Sequence, residues 1–138
     1  MTKKISILFI DDDQIECIKI DRVIKKLDLP HKITKAKNGE KAFKILNTKK
    51  NIPDLILLDL NMSKMNGIEF LTKLKKDDVL CCIPTVIVTT SQNKQDLLDC
   101  YKAGVSGYII KPLRYSEYVS KMQTVLSYWS ENELMKLN

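Results

Sequence analysis

Acidic, hydroxyl and lysine side chains follow the apolar segments of this chain at the points where those segments end. The segment ILFI runs directly into Asp11, Asp12 and Asp13, and the segment LILL runs directly into Asp59. An uninterrupted aliphatic run is typical of a strand that is buried on both faces, where a carboxylate is costly to place. Asp59 is therefore more informative than an aspartate on an ordinary loop.

Two further apolar segments also end in polar residues. PTVIVTT ends in Thr89 and Thr90, with Ser91 next, and GYII is followed by Lys111 and Pro112. In an open parallel sheet, ligands bind at the edge formed by the carboxyl ends of the strands. We therefore expect carboxylates, hydroxyl groups and one lysine to converge on one edge of a sheet.

This set of side chains is suited to phosphoryl transfer onto a carboxylate. Crowded carboxylates repel one another, and Mg²⁺ binds oxygen ligands of this kind. A lysine beside them binds phosphate as a point charge, which makes Asp59 the candidate nucleophile. Each residue alone has a simpler explanation, because an aspartate after a strand is often the N-cap of the next helix. The joint placement at four strand ends is what favours a site.

Hydrophobic periodicity predicts strands and helices that alternate five times along the chain. Strand-like segments lie at residues 5–10, 31–36, 53–59, 84–90 and 107–110, with helical spacing between them and at about 115–129. This alternation predicts an α/β fold in which a mostly parallel sheet is covered on both faces, a three-layer αβα sandwich.

Length and composition predict one globular domain over residues 1–138, with a core at about 4–129 and a short C-terminal helical extension or tail. The N-terminal apolar run is six residues long and ends in acidic residues, so we expect no signal peptide, no membrane span and a cytoplasmic protein. In that compartment the four cysteines are expected to be free thiols, and His31 is expected to be an ordinary surface histidine.

Much of the net charge of +6 comes from residues 19–50, where eleven lysine or arginine residues stand against three acidic ones. A basic surface of this kind can bind nucleic acid. The lysines here alternate with apolar residues, and no series of aromatic residues for base stacking lies between them. We therefore interpret the basic residues as the solvated face of helices. We expect no direct DNA binding, and an acidic protein partner stays open.

Four motifs taken together, ILFIDDD, PDLILLDLNMSKMNG, PTVIVTTS and GVSGYIIKPL, resemble the receiver domain of two-component response regulators. The resemblance extends over residues 4–129 and implies a flavodoxin-like sheet of five parallel strands in the order 2-1-3-4-5. It also implies that the protein is not an enzyme in the usual sense, because a receiver catalyses only its own phosphorylation and dephosphorylation.

The resemblance implies a phosphoacceptor and a metal site among the acidic residues. Asp59 matches the phosphoacceptor, Asp12 matches a direct ligand of Mg²⁺, and Asp11 matches a ligand that acts through water. The backbone carbonyl of Asn61 and the carboxylate of Asp59 complete the implied ligand set. Mn²⁺ is expected to substitute for Mg²⁺.

Other residues match the parts of a receiver that respond to the phosphoryl group. Lys111 matches the lysine that pairs with the phosphoryl oxygens, and the resemblance implies a cis bond between it and Pro112. Thr89 matches the hydroxyl that hydrogen-bonds the phosphoryl group, and Tyr108 matches the aromatic switch residue. Asp13 is expected to serve only as a helix cap.

Some positions depart from the receiver pattern. Ser63 stands where receivers commonly carry proline, Asn66 where they often carry aspartate, and Thr90 is bulkier than the small residue often found there. Neither Ser63 nor Asn66 is a catalytic position, so phosphorylation of Asp59 stays the expectation; the bulk of Thr90 bears on access to the site and on switching.

A receiver implies a histidine kinase or a histidine phosphotransfer protein as the phosphodonor. The face formed by the fourth helix, the fifth strand and the fifth helix is expected to switch and to bind a downstream protein, or the phosphoryl group passes onward in a phosphorelay. The segments ECIKI, LNMSKMNGIEFL and SYWSENEL are similar to single-domain receivers that accompany phytochrome-type kinases. In that subgroup the C-terminal region mediates homodimerisation; alternatively, Tyr128 and Trp129 complete the core.

Three other functions are less compatible with the sequence. A haloacid-dehalogenase-like phosphatase requires an aspartate as general acid where Asn61 stands. A nucleic-acid-binding module has no recognisable motif in the chain. A non-phosphorylated pseudo-receiver scaffold is the alternative function, and it is disfavoured because every phosphorylation residue is present.

Overall fold

The computed structural model describes residues 3–137 of the chain. Its strands are β1 (Ser6–Ile10), β2 (Lys32–Ala36), β3 (Leu55–Leu58), β4 (Thr85–Thr89) and β5 (Gly107–Ile110). Its helices are α1 (Gln14–Lys26), α2 (Gly39–Asn47), α3 (Gly67–Lys75), α4 (Lys94–Lys102) and α5 (Tyr115–Ser130), with a short 3₁₀ helix at Leu80–Cys82. The predicted strands and helices are all present.

The strands form one parallel sheet in the order β2-β1-β3-β4-β5. Ile10 at the end of β1 is aligned with Leu58 at the end of β3, and Thr89 at the end of β4 is aligned with Ile110 at the end of β5. All strands therefore present their carboxyl ends at the same edge of the sheet. The predicted fold class and strand order are confirmed.

Alternate residues of the strands feed two separate apolar clusters, one on each face of the sheet. Ile7 and Phe9 of β1 pack in a cluster with side chains of α1 and α5, whereas Leu8 and Ile10 pack in a cluster with side chains of α2, α3 and α4. Burial on both faces explains why the central strands read as continuous apolar runs. The predicted three-layer sandwich is thus present.

Side-chain caps set the starting points of the first four helices. The N-caps Asp13, Asn38, Asn66 and Asn93 each accept a hydrogen bond from a backbone N–H of the first turn. Caps of this type contribute about 1 kcal/mol each. The prediction that Asp13 is a helix cap is confirmed, and the cap also fixes where α1 begins relative to the two aspartates before it.

The C-terminal residues 131–137 follow α5 as a short tail that contains no helix. Leu134 packs on the cluster beneath α1 and α5, and Leu137 packs on the cluster of the opposite face. Lys136 Nζ lies 3.0 Å from Asp54 Oδ1, just before β3. The tail therefore crosses the amino-terminal edge of the sheet, opposite the edge where the aspartates lie.

The two aromatic residues near the end of α5 have different environments. The Trp129 side chain is partly buried against the core, whereas Tyr128 is 60% exposed. Their rings meet edge to face with centroids 5.2 Å apart. Of the two aromatic residues that could complete the core, Trp129 does so and Tyr128 does not.

Cys17, Cys81, Cys82 and Cys100 are all free thiols, as predicted. Among residues 3–137, no helix has both the length and the apolar character that crossing a membrane requires.

The prediction that His31 is an ordinary surface residue is wrong. His31 is 6% exposed, and its Nδ1 accepts a hydrogen bond of 3.1 Å from the backbone N–H of Ile5. The Ile5 N–H lies just before β1, where it needs an acceptor, and the ring beside β2 supplies one. Burial lowers the pKa of His31 below its ordinary value, so the ring is held neutral.

Acidic pH is expected to destabilise the wild-type protein more than a His31→Gln variant. Because the pKa of His31 is lowered from 6.5 in the folded state, the unfolded chain takes up the proton first as the pH falls. The stabilisation from the neutral ring is complete above pH 6.5 and is lost below it. Urea unfolding of both proteins at about pH 7.5 and about pH 5 measures the difference. An unchanged difference between the two pH values would contradict this expectation.

Candidate functional site

Three carboxylates form an acidic cluster at the carboxyl edge of the sheet. Asp11 and Asp12 follow β1 and Asp59 follows β3, and each offers one oxygen so that these atoms all lie within 4.8 Å of one another. The backbone N–H of Asp59 donates to the carbonyl of Ile10 at 2.9 Å, which extends the ladder between the two strands up to the site. Strand pairing alone therefore brings the acidic residues together.

The acidic cluster has the chemistry of a site for a hard divalent cation. Asp11 and Asp59 are buried, while Asp12 is exposed at the mouth of the site. A set of carboxylate oxygens with access to water is what Mg²⁺ and Mn²⁺ bind. Asn61, the remaining predicted ligand, is exposed in the loop that follows Asp59.

Asp59 is held in an environment that disfavours its charge. It is 9% exposed, and burial raises its pKa from 3.8 to about 6, with Asp11 and Asp12 adding repulsion and Lys111 opposing the rise. Burial also raises the pKa of Asp11, against a hydrogen bond from the Asp13 N–H and the attraction of Lys111. A cation or a second cationic side chain at this edge would relieve both carboxylates.

Lys111 supplies the positive charge of the site. Its Nζ lies 3.0 Å from Asp11 Oδ2 and 3.8 Å from Asp59 Oδ1, and its side chain is 8% exposed. Burial alone would lower the pKa of Lys111, but the attraction of Asp11 and Asp59 outweighs burial and the pKa is raised. The ammonium group therefore stays charged beside the candidate nucleophile.

The bond between Lys111 and Pro112 is not cis, because no peptide bond of the described chain is. The cis isomer that the resemblance implied is therefore absent. Trans is the isomer that Xaa–Pro bonds favour, by about 0.5–1 kcal/mol.

The two predicted switch residues meet at Ser91, in the loop between β4 and α4. Thr89 is fully buried, and its Oγ1 accepts a hydrogen bond of 3.2 Å from the backbone N–H of Ser91. The hydroxyl of Tyr108 donates to the carbonyl of the same residue at 3.0 Å. The backbone N–H of Lys111 donates to the carbonyl of Thr89 at 2.7 Å. Hydrogen bonds therefore connect Thr89 with Lys111 and, through Ser91, with Tyr108.

The loop from Asp59 to α3 contains two features that the sequence analysis did not identify. The backbone N–H of Ser63 donates to Asp12 Oδ2 at 3.2 Å, a contact that a proline at this position would lack. A Cβ atom on Gly67 would lie 2.5 Å from the carbonyl oxygen of Asp59 and 2.8 Å from the Cα atom of Leu60. Glycine is therefore required for the start of α3 to pack against the backbone of the candidate nucleophile.

A fourth carboxylate, Glu16, also reaches the site and was missed. Its Oε2 lies 3.7 Å from the Lys111 Nζ. The signal was its spacing, since Glu16 stands three residues after the last of the three aspartates and lies in the first turn of α1. The spacing alone does not distinguish it from an ordinary surface glutamate.

A five-stranded parallel sheet with this acidic cluster, a lysine after β5 and a hydroxyl at the end of β4 defines a receiver domain. A model of the response regulator receiver domain family matches residues 7–123. The chain belongs to the response regulator receiver domain family.

Individual relatives agree with this assignment. A probable methanogenesis regulatory protein, FilR2 of Methanothrix harundinacea, is 30% identical over 127 residues, which cover 89% of this chain and 82% of the relative. The phosphorylated cyanobacterial phytochrome response regulator RcpA is similar in structure with a TM-score of 0.89 and 29% identity, covering 99% of this chain and 100% of that one. The Mn²⁺-bound form of response regulator Rcp1 has a TM-score of 0.87 and 29% identity, covering 96% and 99% of the two chains.

Asp59→Asn is expected to stabilise the metal-free protein at neutral pH. Because the folded state raises the pKa of Asp59 from 3.8 to about 6, wild type loses stability as the pH rises through that interval, and the loss persists above it. The amide has no such cost, so we expect a gain of about 1–3 kcal/mol above pH 6 that shrinks toward zero near pH 4.

Urea unfolding in the presence of a chelator measures this gain. Asp21→Asn is the matched control, because Asp21 is an exposed carboxylate of α1 that pairs with Lys35. Its effect should be small at either pH. A stabilisation by Asp59→Asn that did not depend on pH would contradict the assigned cause.

Gly67→Ala is expected to reduce both stability and phosphorylation of Asp59. The added methyl group meets backbone atoms that cannot rotate away, so the loop after Asp59 must shift, at a cost of about 1–3 kcal/mol. Gly107→Ala is the control, since its nearest neighbour atom would lie at 3.6 Å, an ordinary contact distance. Urea unfolding and the extent of phosphorylation by acetyl phosphate measure both effects; equal effects of the two substitutions would refute the steric argument.

Proposed function

We propose that the protein is a phosphoacceptor response regulator of a two-component system, in which Asp59 receives the phosphoryl group. The observation that carries this proposal is the position of the Lys111 Nζ, 3.8 Å from Asp59 Oδ1 beside the acidic cluster. The phosphodonor is a histidine kinase or a histidine phosphotransfer protein. The likeness to RcpA, a phytochrome response regulator, supports a sensor kinase as the source.

The transfer forms a bond between an Asp59 oxygen and phosphorus while the bond between phosphorus and the donor's histidine nitrogen breaks, leaving its electron pair on the nitrogen. Asp11, Asp12, Asp59 and the carbonyl of Asn61 would hold Mg²⁺, with Mn²⁺ as a substitute, and the ion supplies neutralisation of charge on the phosphoryl oxygens. Positioning and electrostatic stabilisation account for most of the catalysis in such a step.

Lys111 has two tasks in this proposal. Before transfer its ammonium group pairs with Asp11 and neutralises part of the charge that would repel an incoming phosphoryl group. After transfer the same group contacts a phosphoryl oxygen, which needs only a small movement because the Nζ already lies near Asp59. The protein thus acts only on its own phosphorylation and dephosphorylation.

The switch begins at Thr89. Its hydroxyl turns to donate to a phosphoryl oxygen, so the hydrogen bond that it accepts from the Ser91 N–H is weakened. Ser91 also holds the hydroxyl of Tyr108, so the loop before α4 and the aromatic residue of β5 change together. A pre-existing equilibrium between two arrangements of the α4–β5–α5 face then shifts.

The output is a contact with another protein, or onward transfer of the phosphoryl group. Leu97, Leu98 and Tyr101 of α4 are 40%, 47% and 54% exposed, which supports a protein partner for the switched face. Exposed Tyr128 supports a homodimer through the C-terminal region as a further hypothesis. Four free thiols support a reducing, cytoplasmic location.

Incubation with acetyl phosphate is expected to add one phosphoryl group to wild type in the presence of Mg²⁺ and none in its absence. Asp59→Asn should remain unmodified, and Asp21→Asn should be modified like wild type because Asp21 lies outside the acidic cluster. Intact-mass measurement gives the result for all three proteins. Absence of modification in wild type, together with failure to bind beryllium fluoride, would overturn the proposal in favour of a pseudo-receiver.

A further inference from the structure

Glu16 lies beside the catalytic lysine although it is not part of the acidic cluster. Its Oε2 is 3.7 Å from the Lys111 Nζ, and the two side chains are 14% and 8% exposed. The carboxylate is supplied by the first turn of α1, whereas the acidic cluster comes from the residues that follow β1 and β3. Lys111 is therefore surrounded by Asp11, Asp59 and Glu16.

The two oxygens of Glu16 differ in their surroundings. Oε1 pairs with the Lys19 Nζ at 3.4 Å, and that ammonium group lies 4.3 Å from the ring centroid of Tyr118. Oε2 is buried and has no hydrogen-bond partner within the described structure. A buried carboxylate oxygen without a hydrogen bond is costly, so the nearby ammonium group of Lys111 is what offsets its charge.

The three carboxylates around Lys111 respond differently to phosphorylation of Asp59. The Asp59 carboxylate becomes an acyl phosphate, and Asp11 belongs to the acidic cluster suited to a cation. Glu16 lies outside that cluster, and neither a cation held there nor the phosphoryl group is bonded to its carboxylate. Its attraction for Lys111 therefore persists in the phosphorylated state, where the phosphoryl oxygens need the same ammonium group.

We propose that Glu16 is a positioning residue that acts through Lys111 and competes with the phosphoryl group for it. Lys19 and Tyr118 hold Glu16 in place, so that each movement of Lys111 toward the phosphoryl group leaves the buried Oε2 without its counter-charge. Glu16 thereby weakens the phosphorylated state and shortens the residence of Lys111 on the phosphoryl oxygens. This inference rests on the proposed function.

Beryllium fluoride, used with Mg²⁺, is a probe of this competition because it occupies the position of the phosphoryl group without a chemical step. Glu16→Gln is expected to bind beryllium fluoride about tenfold more tightly than wild type, in the range measured for close charge pairs. Glu16→Met has a similar volume and cannot accept a hydrogen bond from Lys111, so it should act in the same direction. Asp21→Asn removes the same charge from α1 without contacting Lys111 and should leave the affinity unchanged.

A merely structural role for Glu16 predicts the opposite sign, since disruption of α1 would weaken binding. Isothermal titration calorimetry on the four proteins distinguishes the two roles. Affinities of the Glu16 variants that equal or fall below that of wild type would overturn the competition. A wild type that does not bind beryllium fluoride would overturn the proposed function itself.

A double-mutant cycle in metal-free protein tests whether Glu16 acts through Lys111. Glu16→Gln and Lys111→Met, measured singly and together by urea unfolding, should show a coupling of about tenfold in the equilibrium constant of unfolding. The same cycle between Asp21→Asn and Lys111→Met should show none. Tighter beryllium fluoride binding without coupling to Lys111 would mean that Glu16 acts as a general charge, and it would refute the proposed contact.

Discussion

The repulsion among three carboxylates held within 4.8 Å of one another is the constraint on which this structure depends. The pairing of β1 with β3 imposes it, because Ile10 and Leu58 are aligned and the next residue of each strand is an aspartate. Both strands are buried on both faces, so a slip in register would move apolar side chains out of their own layer. The hydrophobic core thus holds the three carboxylates close together despite their mutual repulsion. A cationic group that binds at this edge would reduce that repulsion.

Lys111 contacts the acidic cluster through its side chain and the neighbouring strand through its backbone. Its side chain neutralises Asp11, while its backbone N–H is bonded to Thr89 at the end of the neighbouring strand. The ends of β4 and β5 are therefore tied to each other and, through Ser91, to the segment that leads into α4. The side chains around Asp59 therefore belong to a backbone that hydrogen bonds join to the segment before α4.

Much of this arrangement was predictable from the sequence. The period of apolar residues specified the strands, and the polar residues at the ends of the strands specified the edge where Asp59 and Lys111 meet. Features that depend on the packing of distant segments were not predictable. His31 was expected at the surface because it follows Pro30 at a junction between a loop and a strand, yet the ring is buried and its Nδ1 accepts a hydrogen bond from the N–H of Ile5, just before β1. Glu16 resembled many surface glutamates, and only the folded position of Lys111, which follows β5, brings a lysine to within 3.7 Å of it.

The tail at residues 131–137 has a geometrical consequence for how the molecule can be handled. Lys136 of the tail pairs with Asp54, just before the first residue of β3. The four residues of β3 then span about 13 Å before Asp59 follows at the opposite end of the strand. A tether or fluorophore attached to the described part of the tail, at residues 131–137, would lie at the amino-terminal edge of the sheet, opposite the edge that carries the acidic cluster. Immobilised in this way on a sensor chip, the protein would present its acidic edge outward, accessible to molecules in solution.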